Sequence, residues 1–379
     1  MRHARRRAWS RRGVDRPLSI LGLGTMRLPL GPDGRIDRAT ATTLVRSAVD
    51  LGVTYIDTAW VYHDGESEPF LGEALAGGYR ERVSLATKLP VWAVQSRPDM
   101  DRFLDLQRAR LRTDAIDFYL LHGLNRAGWE RACRLGVLDF LDDALADGRI
   151  RHASFSFHDD LDTFRSIVDA YDWTFAQVQY NYVDVDSPGG RRAVRYASER
   201  GLGVVVMEPL RGGTLARPIP GAADLWARSG PVRTPAERAL SWLWDQPEVT
   251  VVLSGMSTLD QLRENVASAE RARPRTLTPR DLAVFDEVRA LYRARSANGC
   301  TRCGYCRPCP SGVDVPRCLE LFDDAVLFGD PVASRSGYRI LSRHGGGASG
   351  CTGCGTCEER CPQGLDVRRQ LRALDALFS

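Results

Sequence analysis

Short apolar runs recur along the chain at residues 19–23, 53–57, 83–87, 116–121, 150–155, 175–179, 203–207 and 249–253. Each is short and bounded by turn residues, which predicts strands rather than buried helices. Between them lie stretches with apolar positions three and four apart. These predict helices over 39–51, 66–76, 99–111, 129–147, 161–170, 190–200, 235–245 and 259–268. Eight alternating strand–helix units in about 250 residues point to an α/β fold, a (β/α)8 TIM barrel rather than a doubly wound sheet. A further helix over 279–295 leads out of the barrel. The segment 210–233, after the seventh strand, is long and rich in glycine and proline. It follows the C-terminal end of a strand, where a substrate-shaping or lid role is expected.

Composition changes this picture in two places. The chain has 379 residues and is 43% hydrophobic, enough for one large core and a small appendage. No apolar run approaches the length of a membrane span. The overall charge of +4 hides an uneven distribution. Residues 1–17 hold seven arginines and one acid, so this tail carries +6 and the rest of the chain −2. A body without net positive charge argues against nucleic acid as a partner. The tail reads as disordered or as an extended start site. Arg11-Arg12 resembles a twin-arginine export signal, but the apolar segment that follows is needed as the first strand and lacks a small-residue cleavage site. Nine of the ten cysteines fall after residue 299. That is the pattern of a metal-binding appendage on a reduced, cytoplasmic protein rather than a secreted disulfide framework. The expected division is therefore a tail at 1–17, a barrel at 18–295 and a cysteine-rich domain at 296–379.

The strand tips carry the candidate chemistry. Asp57 ends the second strand and Tyr62 lies in the loop after it. Lys88 ends the third strand and His122 the fourth. Lys88 is the only lysine among the 52 Lys and Arg residues. A chain that uses arginine elsewhere keeps lysine where a compact, tunable ammonium matters and a planar guanidinium cannot replace it. An unperturbed tyrosine, with a pKa of about 10, is a poor proton donor and acceptor at neutral pH. An adjacent ammonium favours its phenolate, and a carboxylate paired with that ammonium keeps it charged and oriented. A histidine beside them can donate a hydrogen bond to a carbonyl and stabilise the developing oxyanion.

These residues sit in longer motifs that resemble the aldo-keto reductase family. The matching pieces are Gly22-Leu-Gly-Thr-Met26, Tyr55-Ile-Asp-Thr-Ala59 with Tyr62 and Gly65-Glu-Ser-Glu68, Thr87-Lys88, and Asp117-Phe-Tyr-Leu-Leu-His122. Further matches are Gln177-Val-Gln-Tyr-Asn181, Glu208-Pro-Leu-Arg-Gly-Gly213, and Ser254-Gly-Met-Ser257 with Gln261 and Glu264-Asn265. The resemblance covers roughly residues 18–270. It implies an enzyme interconverting a carbonyl and an alcohol with NADP(H) or NAD(H) bound extended across the barrel mouth. Tyr62 would be the proton donor, Lys88 and Asp57 its tuning pair, and His122 the residue that orients the carbonyl. Cofactor contacts are implied for Gly24, Thr25, Met26, Asp57, Ser156, Gln179, Met207, Pro209, Leu210, Ser254, Gly255, Ser257, Gln261 and Asn265. Three departures bear on this. Phe157 stands where many members have a polar residue, Met207 where an aromatic ring often stacks on the nicotinamide, and Gly255 and Gln261 where many NADPH users carry basic residues. The choice between NADPH and NADH therefore stays open.

Residues 351–362 read Cys351-x2-Cys354-x2-Cys357-x3-Cys361-Pro, the bacterial ferredoxin run, whose fourth cysteine serves the other cluster in two-cluster proteins. Cys300, Cys303, Cys306 and Cys309-Pro repeat it with one residue fewer before the last cysteine. Zinc also suits four thiolates, but the doubled run favours two [4Fe-4S] clusters. The expected sets are Cys300, Cys303, Cys306 with Cys361, and Cys351, Cys354, Cys357 with Cys309; a single cluster is the alternative. Cys133 and Cys318 read as ordinary buried thiols. This part of the chain resembles the ferredoxin-like extension on one branch of the aldo-keto reductases. Two other readings are a redox sensor on this scaffold and an electron-transfer protein working with a ferredoxin or another redox partner.

Overall fold

The computed structural model describes residues 6–7, 14, 16–186, 190–230, 233–296, 298–329 and 331–378. Two compact units divide the chain: residues 1–209 with 236–276, and residues 210–235 with 277–379. Most of the segment expected to be disordered, 1–17, lies outside the described residues. Within it, Arg6–Arg7 pairs antiparallel with Leu18–Ser19.

The first unit is the closed parallel barrel that the alternation predicts. Its strands are β1 (Leu21–Gly24), β2 (Tyr55–Asp57), β3 (Ser84–Leu89), β4 (Ile116–Leu124), β5 (Ile150–Phe157), β6 (Phe175–Gln179), β7 (Gly203–Met207) and β8 (Val251–Ser254). They are hydrogen-bonded in sequence order, and β8 closes onto β1. Tyr55, Ala86, Phe118, Leu120, Phe175, Val205, Val251 and Leu253 pack in one buried cluster, joined by Val14 and Leu18. Phe118 packs at a tilt against Phe175 at 5.2 Å and against Tyr55 at 5.7 Å between ring centroids. This cluster sets the face on which the site residues stand. Side chains two apart on a strand share a face, so Asp57 follows Tyr55, Lys88 follows Ala86, and His122 follows Phe118 and Leu120. Register completes the placement: Asp57 pairs with Ala86 and with Gly24, and Lys88 pairs with Leu120.

The helices around the barrel are α1 (Arg38–Asp50), α2 (Ser67–Ala74), α3 (Arg97–Leu111), α4 (Arg126–Arg134), α5 (Val137–Ala146), α6 (Leu161–Ala170), α7 (Arg191–Glu199), α9 (Pro235–Trp244) and α10 (Leu259–Arg271). α3 starts with a capping box formed by Ser96 and Asp99, and α1, α6 and α10 begin with Asp37, Asp160 and Thr258 accepting from their first turns. The single helix expected over 129–147 is two helices. Gly136, at φ +76°, takes the left-handed conformation between α4 and α5, a position glycine enters without strain.

The second unit begins with the segment after β7, which contains a short 3-10 turn over Arg211–Ala216 and a helix α8 (Ala222–Trp226). Helix α11 (Pro279–Arg295) belongs to the same unit; Trp226 packs edge-on against Phe285 at 4.9 Å, and the Tyr292 hydroxyl donates to the Thr214 carbonyl at 3.0 Å. The cysteine-rich part adds α12 (Val315–Leu327), α13 (Pro331–Arg343), α14 (Thr356–Glu359) and α15 (Val367–Phe378). Val315, Leu319, Leu321, Leu371, Leu374 and Phe378 form its apolar core, against which Cys300, Cys306, Cys309 and Cys351 pack. Among the described residues no helix is long and apolar enough to cross a membrane.

Candidate active site and cysteine centre

Four side chains meet at the C-terminal mouth of the barrel. Lys88 is fully buried and its ammonium donates to Asp57 Oδ1 at 2.7 Å and to the Thr58 carbonyl at 2.7 Å. It lies 3.4 Å from the Tyr62 hydroxyl and 4.9 Å from that ring's centroid. His122 is 3% exposed, edge-on to Tyr62 with ring centroids 6.3 Å apart. Burial drives Asp57 above and Lys88 below their ordinary pKa values, and their mutual attraction across 2.7 Å opposes both shifts. Burial also holds His122 well below the usual histidine range, and the Lys88 ammonium adds to that, so its imidazole is neutral near pH 7. Asp57 Oδ2 has no hydrogen-bond partner among the described residues.

The loop that carries Tyr62 is constrained. His63 and Asp64 follow it at φ +52° and +55°, a left-handed pair of the residue types that best tolerate it outside glycine. The His63 Nε2 lies 3.0 Å from the Thr25 carbonyl oxygen. Such backbone persists only where its surroundings hold it, and here it fixes the angle at which the phenol enters the barrel.

Sequence reasoning missed a buried network behind Lys88. Glu68 is fully buried; its Oε1 accepts from the Thr87 hydroxyl at 2.7 Å and from Gln107 Nε2 at 2.6 Å. Gln107 Nε2 also reaches the Lys88 carbonyl at 3.0 Å, while the Tyr119 hydroxyl donates to Gln107 Oε1 at 2.7 Å. The signal was present: Gln107 falls on the apolar stripe of α3 between Leu104 and Leu111, where an amide must find partners. Trp92 was also missed. It is 49% exposed, an unusual cost for a large ring, and its centroid is 5.0 Å from that of His122. Arg131 of α4 donates to the Trp92 carbonyl at 3.1 Å and to the Val91 carbonyl at 3.3 Å, pinning the loop.

The residues implied for cofactor contact lie at or just after the tips of β1, β2, β5, β6, β7 and β8, with Gln261 and Asn265 on α10. Gly24 ends β1 beside Asp57. The Thr25 hydroxyl is buried and already engaged, donating to the Asp57 carbonyl at 3.0 Å and lying 2.9 Å from the Ser67 hydroxyl; Met26 follows it. Ser156 accepts from the Gly123 amide at 2.7 Å. Gln179 and Met207 end neighbouring strands and pair in register. Pro209 and Leu210 come next along the chain. After β8, Asn265 Nδ2 donates to the Ser254 hydroxyl at 3.1 Å, the Ser257 amide donates to Gln261 Oε1 at 2.8 Å, and the Ser257 hydroxyl donates to the Arg27 carbonyl at 2.7 Å. A row of hydroxyls, amides and glycines lines the barrel rim around the Lys88–Asp57 pair, a donor set that suits a dinucleotide.

In the second unit cysteines of the two runs lie near one another. Burial pushes the Cys300 and Cys306 thiols up to about 12, and the neighbours acting on both include Cys361 of the distant run. Burial also raises Cys357, with Glu358, Cys351 and Cys309 as its neighbours. A small cavity is lined by Cys306, Cys309, Cys351, Cys354 and Cys357, floored by Val313, Val315 and Leu371. No three His, Cys, Asp or Glu side chains among the described residues close on a single-ion site, whereas a cubane cluster takes its thiolates at separate corners. The donor set fits iron–sulfur clusters. Cys318 is buried as expected; Cys133 is exposed, against expectation, because it sits in the last turn of α4, past the buried Trp129 and Ala132.

Two known families match successive parts of the chain. Residues 20–289 match the aldo/keto reductase family and residues 299–366 match the 4Fe-4S dicluster domain. An uncharacterized oxidoreductase of Mycobacterium tuberculosis is 32% identical over 283 residues, covering 67% of this chain and 85% of that protein. The NADH-specific methylglyoxal reductase of Escherichia coli is 27% identical over 300 residues, 67% of this chain and 91% of that protein. Among solved structures, the holo form of aldo-keto reductase AKR11C1 from Bacillus halodurans superposes with a TM-score of 0.63 at 25% identity, over 76% of this chain and 96% of its own. Barrel, strand-tip residues and family match converge on one conclusion: the chain belongs to the aldo/keto reductase family, as an oxidoreductase with an added 4Fe-4S domain.

Proposed function

We propose that the protein reduces a small aldehyde or ketone to the alcohol, and runs the reverse oxidation, with NADPH or NADH. The contact of Lys88 with both Asp57 and Tyr62, in a buried cluster beside a neutral His122, carries this reading. A bound reduced nicotinamide supplies the hydride. His122 donates a hydrogen bond to the carbonyl oxygen and fixes it near the phenol. Tyr62 gives that oxygen a proton as negative charge develops on it. Lys88 stabilises the resulting phenolate, and Asp57 keeps the ammonium charged and in place. Gly24, Thr25, Met26, Asp57, Ser156, Gln179, Met207, Pro209, Leu210, Ser254, Gly255, Ser257, Gln261 and Asn265 would hold the dinucleotide, with Thr25 contributing through its backbone because its hydroxyl is engaged. In the appended domain Cys300, Cys303, Cys306 and Cys361 would bind one [4Fe-4S] cluster, and Cys351, Cys354, Cys357 and Cys309 a second. The clusters exchange single electrons, so a ferredoxin or similar one-electron protein is the partner their chemistry fits. A reductase named for methylglyoxal among the relatives makes that dicarbonyl the first substrate to try.

The test is nucleotide oxidation by anaerobically purified protein with methylglyoxal and a panel of aldehydes and ketones. Turnover with at least one carbonyl is the expected result. Cluster reduction by a reduced ferredoxin with no nucleotide-dependent carbonyl turnover would overturn the proposal.

A pH profile tests the histidine separately. With His122 held neutral, kcat should pass through pH 6.5, the usual histidine value, without a histidine step. An inflection there that disappears in His122→Gln would contradict this. Stability has the complementary sign. The unfolded imidazole protonates near pH 6.5 and the folded one well below, so His122 favours the fold above about 6.5 and that contribution is lost as pH falls towards its depressed value.

A further inference from the structure

Gly255 and Gln261 leave the loop after β8 without the basic side chains that would read a nucleotide phosphate. An arginine reaches this place from another strand. Arg27 ends the 3-10 turn Thr25–Arg27 that follows β1, and β8 pairs with both β1 and β7, so it lies between their tips. The aliphatic stem of Arg27 lies over Gly255: a Cβ added there would stand 3.1 Å from Arg27 Cβ and 3.2 Å from Cγ and Cδ. Any larger residue at 255 would push the stem aside. The Ser257 hydroxyl holds the Arg27 carbonyl at 2.7 Å, so the backbone is tied to the same loop. The guanidinium reaches across to Glu208, at the end of β7, with Nη2 3.9 Å from Oε1. Glu208 is set by a left-handed backbone at φ +53°, and its carbonyl accepts from Asn181 at 3.2 Å.

We propose that Arg27 is a phosphate-binding residue of the dinucleotide site, supplying from β1 the positive charge that the loop after β8 lacks. This rests on the reading that a nicotinamide dinucleotide lies along the barrel rim. The pair with Glu208 is too long for a good hydrogen bond and partly exposed, at 29% and 14% for the two side chains, and pairs of that kind contribute little. A guanidinium forked on phosphate oxygens is the stronger contact. Arg27 therefore exchanges Glu208 for a phosphate when the nucleotide binds. The chemistry is the same for the diphosphate bridge and for a 2′-phosphate.

Dissociation constants for NADPH, NADH and adenosine 2′,5′-bisphosphate, measured by nucleotide fluorescence or calorimetry on the full chain, decide it. Arg27→Met should weaken NADPH by about 10-fold or more, and Arg27→Lys should recover part of the loss. An equal loss for NADH assigns the diphosphate; a loss confined to NADPH and the bisphosphate assigns the 2′-phosphate. Unchanged affinity for all three ligands in a folded Arg27→Met overturns the proposal. If that variant does not fold, Glu208→Gln decides instead: removing the competing carboxylate tightens nucleotide binding if Arg27 binds phosphate, and unchanged or weaker binding overturns it. Absence of nucleotide binding by the unsubstituted protein would be a failure of the cofactor reading, distinguishable because no variant is then needed to see it.

Discussion

Lys88→Arg removes most carbonyl turnover while the barrel stays folded: that is the expected result with the largest effect. The ammonium is fully buried and satisfies Asp57 Oδ1, the Thr58 carbonyl and the Tyr62 hydroxyl from one compact point. A guanidinium spreads the same charge over a plane, cannot give up its proton, and needs room that a closed core does not offer. Tyr62→Phe removes the proton donor itself and should lower kcat by roughly 10²-fold or more. Nucleotide affinity should change much less than kcat in the tyrosine variant, since the phenol contributes chiefly in the transition state. Near-native kcat in both variants, with circular dichroism unchanged, would remove the quartet from the mechanism. Should Lys88→Arg fail to fold, Tyr62→Phe still decides, because it deletes one oxygen and leaves the ring in place.

Cys361→Ser and Cys309→Ser are expected to give mirror-image losses. With each run closing the other's cluster, Cys361→Ser depletes the cluster built on Cys300, Cys303 and Cys306, although Cys361 lies in the later run. Cys309→Ser depletes the cluster built on Cys351, Cys354 and Cys357. The unsubstituted protein should contain about eight irons and eight sulfides per chain, and each variant about four. The two variants should retain different clusters, distinguishable by paramagnetic resonance after reduction. Identical residual signals from both variants would exclude the crossed sets. Stoichiometric zinc with no visible absorption would exclude clusters altogether. On the crossed assignment, metal loss should also loosen the shared core of Val315, Leu319, Leu371 and Leu374.

The barrel was legible because period-two alternation and strand spacing are strong signals. The parity that points Tyr55 inward also points Asp57 inward, and the same holds from Ala86 to Lys88 and from Phe118 to His122. What escaped was set by single residues or by partners remote in sequence. Gly136 splits a pattern that reads as one continuous helix, since amphipathic periodicity survives a short break. Thr25 lies in a motif the family uses at the cofactor, yet its hydroxyl turns to Ser67 and the Asp57 carbonyl, a choice made by residues 32 and 42 positions away. Glu68 was visible as part of a motif, but its partnership with Gln107 spans 39 residues and only the fold brings them together. In the second unit the cysteine spacing dominated the reading and concealed α12, α13 and α15, whose apolar faces pack on one another.

The single lysine has a consequence outside catalysis. A protease that cuts only after lysine has one site in this chain, between Lys88 and Leu89, and both residues are fully buried within β3. The folded barrel gives such a protease nothing to cut, while an opened barrel yields two fragments and no others. Cleavage at that bond therefore counts molecules whose third strand has left the sheet, a clean reporter of large-scale opening in a protein whose many arginines would blur any trypsin-based measurement.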